Sequence, residues 1–283
     1  MIHIMKKKIV FFLYIFSLIS CARQYHLADV SNKYYRIEKA SYPVDVATAS
    51  LIEPYKMQLE NTMNEVIGIN EEELVKGKPS STLTNWFTDV LLEETQKHYA
   101  GVINFAIQNY GGIRLPFLAK GNVTVSHVYE LMPFDNIMYI IEMEGSKIQM
   151  MCDKIAESGG WPVSKGIYFE IVFSKAKNIK INDQPIDITK IYTVAVPDYI
   201  ANGGDNMDMF IGSKINNTGV FIRDLLLANI KANHKVGKTI KPNDEKRIVL
   251  YSSKKLVLNK KAHLSFMCLN HFLNISLETL IIF

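Results

Sequence analysis

Apolar stripes at helical spacing alternate along this chain with continuous apolar runs of strand length. From Ala47 to Ile67, the residues Leu51, Tyr55, Met57, Leu59, Met63 and Val66 fall roughly on one side of a helix. Asn70 to Ser80 is a charged loop holding Lys76-Gly77-Lys78-Pro79. Ser81 or Thr82 can cap a second helix, which carries Leu83, Trp86, Phe87, Val90 and Leu91. Val102 to Ile107 and Ile137 to Met143 are strand-like runs. Between them Val125 to Leu131 reads as a short helix capped by Thr124 or Ser126. Ser146 to Glu157 is a helix with Ile148, Met151, Cys152 and Ile155 on its apolar side. Ile179 to Ile186 reads as a hairpin turning at Asn182-Asp183. Tyr192 to Val196 is a further strand, and Val220 to Ala232 a last helix.

Two of the strand-like runs end in glycine turns. Asn109-Tyr110-Gly111-Gly112-Ile113-Arg114 follows the first, and Ala201-Asn202-Gly203-Gly204-Asp205-Asn206 follows Tyr192 to Val196. Paired glycines at a strand exit permit positive φ and close approach of a ligand to the backbone. Arg114 brings a planar fork suited to phosphate or carboxylate. Asn202, Asp205 and the turn amides suit hydroxyl groups.

With the segments around them, these turns resemble the C-terminal domain of the 5′-nucleotidase and UDP-sugar hydrolase family. Thr84-Asn85-Trp86 with Asp89 resembles the family's Gly-Asn-Leu-x-x-Asp helix, and Pro133-Phe134-Asp135-Asn136 its Pro-Phe-Gly-Asn turn. Val163-Ser164-Lys165-Gly166 is similar to Val-Ser-Gly with a lysine inserted, and residues 241–248 resemble the closing segment. The resemblance covers roughly residues 47 to 250. It implies an α+β domain of layered mixed β-sheets flanked by helices. It implies a nucleotide or nucleoside-like ligand held by Asn109, Gly111, Gly112 and Arg114 on one turn and Asn202, Gly203, Gly204 and Asp205 on the other. The family stacks a base between two aromatic rings, at positions that by register are Met138 and Met207 here. An arginine expected before the Asn85 helix is replaced in the sequence only by Lys76 or Lys78. Asn85 and Asp89, four apart on one helix face, read as a structural pair tying down a neighbouring loop.

The ends of the chain carry different information. Lys6-Lys7-Lys8 and the apolar Ile9 to Ile19 form the charged and hydrophobic parts of a signal peptide. Leu18-Ile19-Ser20-Cys21 resembles a bacterial lipobox, in which Cys21 receives the lipid; the alternatives are an ordinary signal peptide or an uncleaved anchor. The expected organisation is residues 1–20 as lipoprotein signal peptide, 21–46 as tether, 47–250 as the domain and 251–283 as an atypical tail. That places the protein in a bacterial cell envelope, lipid-anchored, facing the periplasm or the surface. The tail reads as a partner-binding helix, a second anchor or a reading-frame accident. Cys152 and Cys268 are either one disulfide or two buried thiols.

Charge excludes one class of function. The net charge is +4, and without the three leader lysines the balance is 29 basic to 28 acidic residues, about neutral. No basic face for nucleic acid is indicated. In the family a separate metallophosphatase domain holds two metal ions that activate water and stabilise displacement at phosphorus. Its Gly-Asn-His-Glu and Gly-His-x-His motifs are absent here, and the seven histidines are scattered, His127 reading as a helix-face residue. No catalytic residue or cofactor is therefore expected on this chain; divalent metals are expected only on a partner metallophosphatase. The resemblance implies the recognition component of a 5′-nucleotidase-type hydrolase in nucleotide catabolism. The alternatives are a non-catalytic lipoprotein binding a nucleotide or sugar-phosphate at the membrane, and a structural or decayed lipoprotein.

Overall fold

A computed structural model of the protein describes residues 44–251. The leader, Cys21, Cys268 and the tail lie outside the described residues. The chain divides into two units, Met1–Glu53 and Pro54–Phe283. Helix α1, Val46–Met63, crosses that division, contains Pro54 and buries none of its residues. It stops earlier than its apolar spacing suggested. Val66 and Ile67 instead belong to strand β1, Val66–Asn70, because β1 pairs antiparallel with β5, Gly121–Thr124, far away in sequence.

The second unit is built on a central four-stranded sheet. Its order is β11 (Lys214–Phe221), β6 (Ile137–Glu144), β10 (Ile191–Pro197) and β3 (Phe105–Ala106). β6 runs antiparallel to both β11 and β10, whereas β3 runs parallel to β10. Strand alternation sends Met138, Ile140, Ala106 and Ala195 into one core, and Ile141, Met143, Phe105, Val194 and Val196 into another. Burial of both faces explains why these strands read as unbroken apolar runs.

The first core is closed by the β1–β5 ribbon, by the short antiparallel pair β2 (Leu74–Val75) and β4 (Phe117–Leu118), and by three helices: α2 (Thr82–Gln96), α3 (Val125–Leu131) and α6 (Ile222–Lys235). Ser81 is the N-cap of α2. Thr124 caps α3, and the His127 Nδ1 accepts the Thr124 N–H at 3.0 Å, which makes His127 part of a capping box. The second core lies under α4 (Gly145–Glu157) and a second sheet. That sheet has the order β12 (Ile248–Tyr251), β7 (Ile167–Val172), β8 (Lys175–Ile181) and β9 (Gln184–Pro185). Asn182 and Asp183 turn β8 into β9 with φ of 49° and 63°, the left-handed geometry that tight hairpins need. Cys152 is buried in α4, and burial pushes its thiol pKa up. The result is the α+β arrangement of layered mixed sheets with flanking helices.

Arg247, only 2% exposed, fastens the closing segment to α2. Its Nε donates to Glu245 Oε2 at 3.0 Å and one terminal nitrogen donates to Asp89 Oδ2 at 2.6 Å. The other donates to the carbonyls of Asn85 (3.3 Å) and Val163 (3.0 Å). Asn85 Nδ2 returns two bonds to the carbonyls of Asn243 and Glu245, and Asp89 Oδ1 accepts the Lys165 N–H at 2.8 Å. Asn85 and Asp89 thus tie down loops on either side of their helix.

Candidate functional site

The parallel pairing of β3 with β10 sets Phe105 opposite Val194 and Ala106 opposite Ala195. Parallel neighbours end at the same side of a sheet, so the two glycine turns leave side by side. Here the turns touch: Asn109 Nδ2 donates to Asp205 Oδ2 at 2.9 Å. Tyr199 donates its hydroxyl to Asp205 Oδ1 at 3.0 Å, so both carboxylate oxygens are oriented. Behind Asn109, the buried Gln108 donates from Nε2 to Asn109 Oδ1 at 3.0 Å, fixing which way that amide faces.

Gly204 is required by close approach, since a Cβ there would stand 2.5 Å from the Tyr199 carbonyl oxygen; a Cβ on Gly112 would stand 1.9 Å from Gln108 Nε2 and displace that side chain. Gly111 is exposed. Asp205 and Asn206 occupy the left-handed region at φ 55° and 60°, which short polar side chains tolerate.

Three cations gather at the first turn. Lys76 Nζ donates to the Ile113 carbonyl at 2.6 Å and lies 4.1 Å from the centre of the Tyr110 ring. Lys78 Nζ is 4.8 Å from the same ring and donates to the Ser158 carbonyl. Arg114 donates to the Gly111 carbonyl at 3.3 Å and covers the Phe134 ring at 5.6 Å. Among the described residues none of the three is ion-paired with a carboxylate. Burial, together with the charges of Arg114 and Lys78, lowers the pKa of Lys76 below the ordinary lysine value. Like charges held together without a counter-charge make this stretch of the turn a positively charged surface.

A third segment joins the turns. Asn136 Nδ2 donates to Asp198 Oδ1 at 2.7 Å, tying the Pro133–Asn136 turn to α5, Asp198–Ala201, which leads into the second glycine turn. Phe134 is 42% exposed and Tyr199 46%. These exposed rings were not singled out from the sequence as ring-stacking residues. Phe134 lies inside the quoted turn motif and Tyr199 three residues before Asn202, but exposure is a tertiary property that neither motif carries.

Of the ten residues expected to hold a ligand, eight lie on the joined turns: Asn109, Gly111, Gly112, Arg114, Asn202, Gly203, Gly204 and Asp205. Met138 and Met207 do not present a stacking surface, which corrects the expectation for both. Each is 0% exposed, Met138 in the helix-covered core and Met207 in the core beneath α4. Met138 lies opposite Pro197 on a strand face turned inward, so a base cannot reach its sulfur.

Comparison with known proteins settles the relationship. The model of the 5′-nucleotidase C-terminal domain matches residues 62–212, over half of the chain. The chain belongs to this family. It is 26% identical over 193 residues to a NAD 5′-nucleotidase of Haemophilus influenzae, covering 59% of this chain and 32% of that protein. It is 27% identical over 180 residues to the protein UshA of Escherichia coli, again covering 59% of this chain and 32% of the relative. A 5′-nucleotidase precursor of Thermus thermophilus superposes with a TM-score of 0.61 at 25% identity, over 76% of this chain and 45% of that one. The chain thus spans about a third of the length of these curated relatives. Among the described residues, no group of three or more His, Cys, Asp or Glu side chains is assembled that could hold a metal ion.

Proposed function

We propose that this chain is the nucleotide-recognition component of a 5′-nucleotidase-type hydrolase in nucleotide catabolism, acting with a separately encoded metallophosphatase. The observation that carries this reading is the cation cluster of Lys76, Lys78 and Arg114 beside the joined turns. A ligand there meets positive charge for its phosphate. It meets the Asp205 carboxylate, held by Asn109 and Tyr199, for its hydroxyls. It meets the exposed faces of Phe134 and Tyr199 for its base. Those two rings take the stacking role that Met138 and Met207 cannot. The chain's residues bind and orient; the divalent metals that would activate water belong, in this reading, to the partner.

The experiment mixes the full chain with the candidate metallophosphatase and measures nucleotide hydrolysis. Hydrolysis above that of the partner alone is expected. Calorimetric binding of a nucleotide with no stimulation would instead support the second reading, a non-catalytic envelope lipoprotein that holds a nucleotide or sugar-phosphate. No binding to nucleosides, nucleotides or nucleotide sugars would sink both.

Anchoring through lipid at Cys21, in the cell envelope, is part of the same proposal. Labelled fatty acid should appear on the expressed chain and vanish in Cys21→Ser; equal labelling of the variant would rule out this anchor.

A further inference from the structure

A second concave site lies away from the glycine turns. A cavity of about 570 Å3 opens between the start of β7, the β8–β9 turn and the segment leading into β12. No residue of either glycine turn lines it. Its volume falls within the roughly 300–1,000 Å3 of small-molecule sites.

The charges around it do not cancel. Arg247 contributes to the wall, but Asp89 and Glu245 already answer its charge. Lys165, Lys180 and Lys246 also line the cavity and are exposed, and none forms an ion pair among the described residues. Against these three ammonium groups stands one uncommitted carboxylate, Asp183. A concave surface bearing excess charge of one sign concentrates counter-ions of the other.

The segments that carry the lysines are also stitched together. The Lys165 N–H is held by Asp89 Oδ1 at 2.8 Å, which fastens it to α2. The Asn182 N–H donates to the Gly166 carbonyl at 2.9 Å, joining the β8–β9 turn to the start of β7. Gly166 has φ +96°, and a Cβ there would lie 2.2 Å from the Asn104 carbonyl oxygen, so this stretch is set by close backbone packing. The backbone positions that carry Lys165 and Lys180, and through Arg247 that of Lys246, are therefore fixed before any ligand arrives. A site organised in advance loses less freedom on binding.

We infer that this cavity is a second binding site, for a small phosphate-bearing polyanion, held by Lys165, Lys180 and Lys246. It is independent of the recognition site on the glycine turns. Inorganic tripolyphosphate is the probe, titrated into the full chain by calorimetry at low and moderate salt. Replacing all three lysines by glutamine should weaken one class of tripolyphosphate binding by about tenfold or more. The Arg114→Gln variant should leave that class intact and lose only what binds at the glycine turns. All three lysines are exposed, so the variant retains its fold. Unchanged affinity and stoichiometry in the triple variant would overturn the inference. So would an equal loss on replacing Lys120, Lys190 and Lys235, exposed lysines elsewhere on the surface, since that would reduce the binding to general charge.

Discussion

Replacing Arg247 with leucine is expected to destabilise the domain by about 3 kcal/mol or more, the scale on which breaking a buried ion pair by removing one partner acts. The guanidinium is 2% exposed and serves four acceptors: Asp89, Glu245 and the carbonyls of Asn85 and Val163. Leucine fills part of the volume but leaves the Val163 and Asn85 carbonyls without this donor and a carboxylate at Asp89 without its counter-charge. Glu245 is more exposed than Asp89 and recovers by solvation, which sets the expectation at the low end of the range. Arg247→Lys should recover little, because an ammonium on a flexible stem cannot reproduce the planar fork. Urea denaturation of both variants checks this. A loss under about 1 kcal/mol for Arg247→Leu would mean that the closing segment is held by something other than this arginine.

The second large effect is expected at the cation cluster. Lys76→Gln combined with Arg114→Gln should weaken nucleotide binding by about a hundredfold, if each removes a charge-assisted hydrogen bond of about 1.5 kcal/mol. The pH dependence has a definite sign. Only the protonated amine attracts the anion, so affinity falls as pH rises through the Lys76 pKa. Burial, Arg114 and Lys78 lower that pKa, so the fall begins at lower pH than for an ordinary lysine. Lys76→Arg, which stays charged throughout, should flatten the profile. Calorimetric titration with a nucleotide at about pH 7 and about pH 10 reads both effects, since the ordinary lysine pKa is about 10.4. Equal affinities of the double variant and the original protein would remove the cluster from the site.

Strands β6 and β10 of the central sheet were legible because burial on both faces left them as apolar runs, whereas the polar, largely exposed β11 carries no such run and was not read as a strand. The Asn182-Asp183 turn was legible because its chemistry is local. The glycine turns were legible for the same reason, and the tie between Asn85, Asp89 and the neighbouring loops followed from helix spacing. What escaped depends on distant partners. Val66 and Ile67 follow a helix in sequence, yet their segment pairs with Gly121–Thr124, so they are strand. Val102 to Ile107 looked like one strand, but only Phe105 and Ala106 pair as strand, and Val102 is exposed. Counting positions from the turn motifs reached Met138 and Met207 but could not say which way each faces. Nor could it say that Phe134 stands exposed beside Arg114 and Tyr199 beside Asp205. Arg247 was not singled out within residues 241–248, because its four acceptors are scattered from residue 85 to residue 245.

The joining of the two turns rests on a short, fully buried strand that the Val163–Ser164 segment also holds from its outer side. β3 contributes two residues to the central sheet and sits at its edge, with Asn104 and Ile107 adding one backbone bond each to β10. Asn109 and Asp205 are 96 residues apart in sequence, and that short parallel pairing is what brings their strands together. A molecule that grips both turns therefore grips the sheet edge as well. Its binding and the seating of β3 between β10 and the Pro162–Ser164 segment become one equilibrium, so a ligand that holds the turns together also stabilises the packing of the two cores that β3 separates.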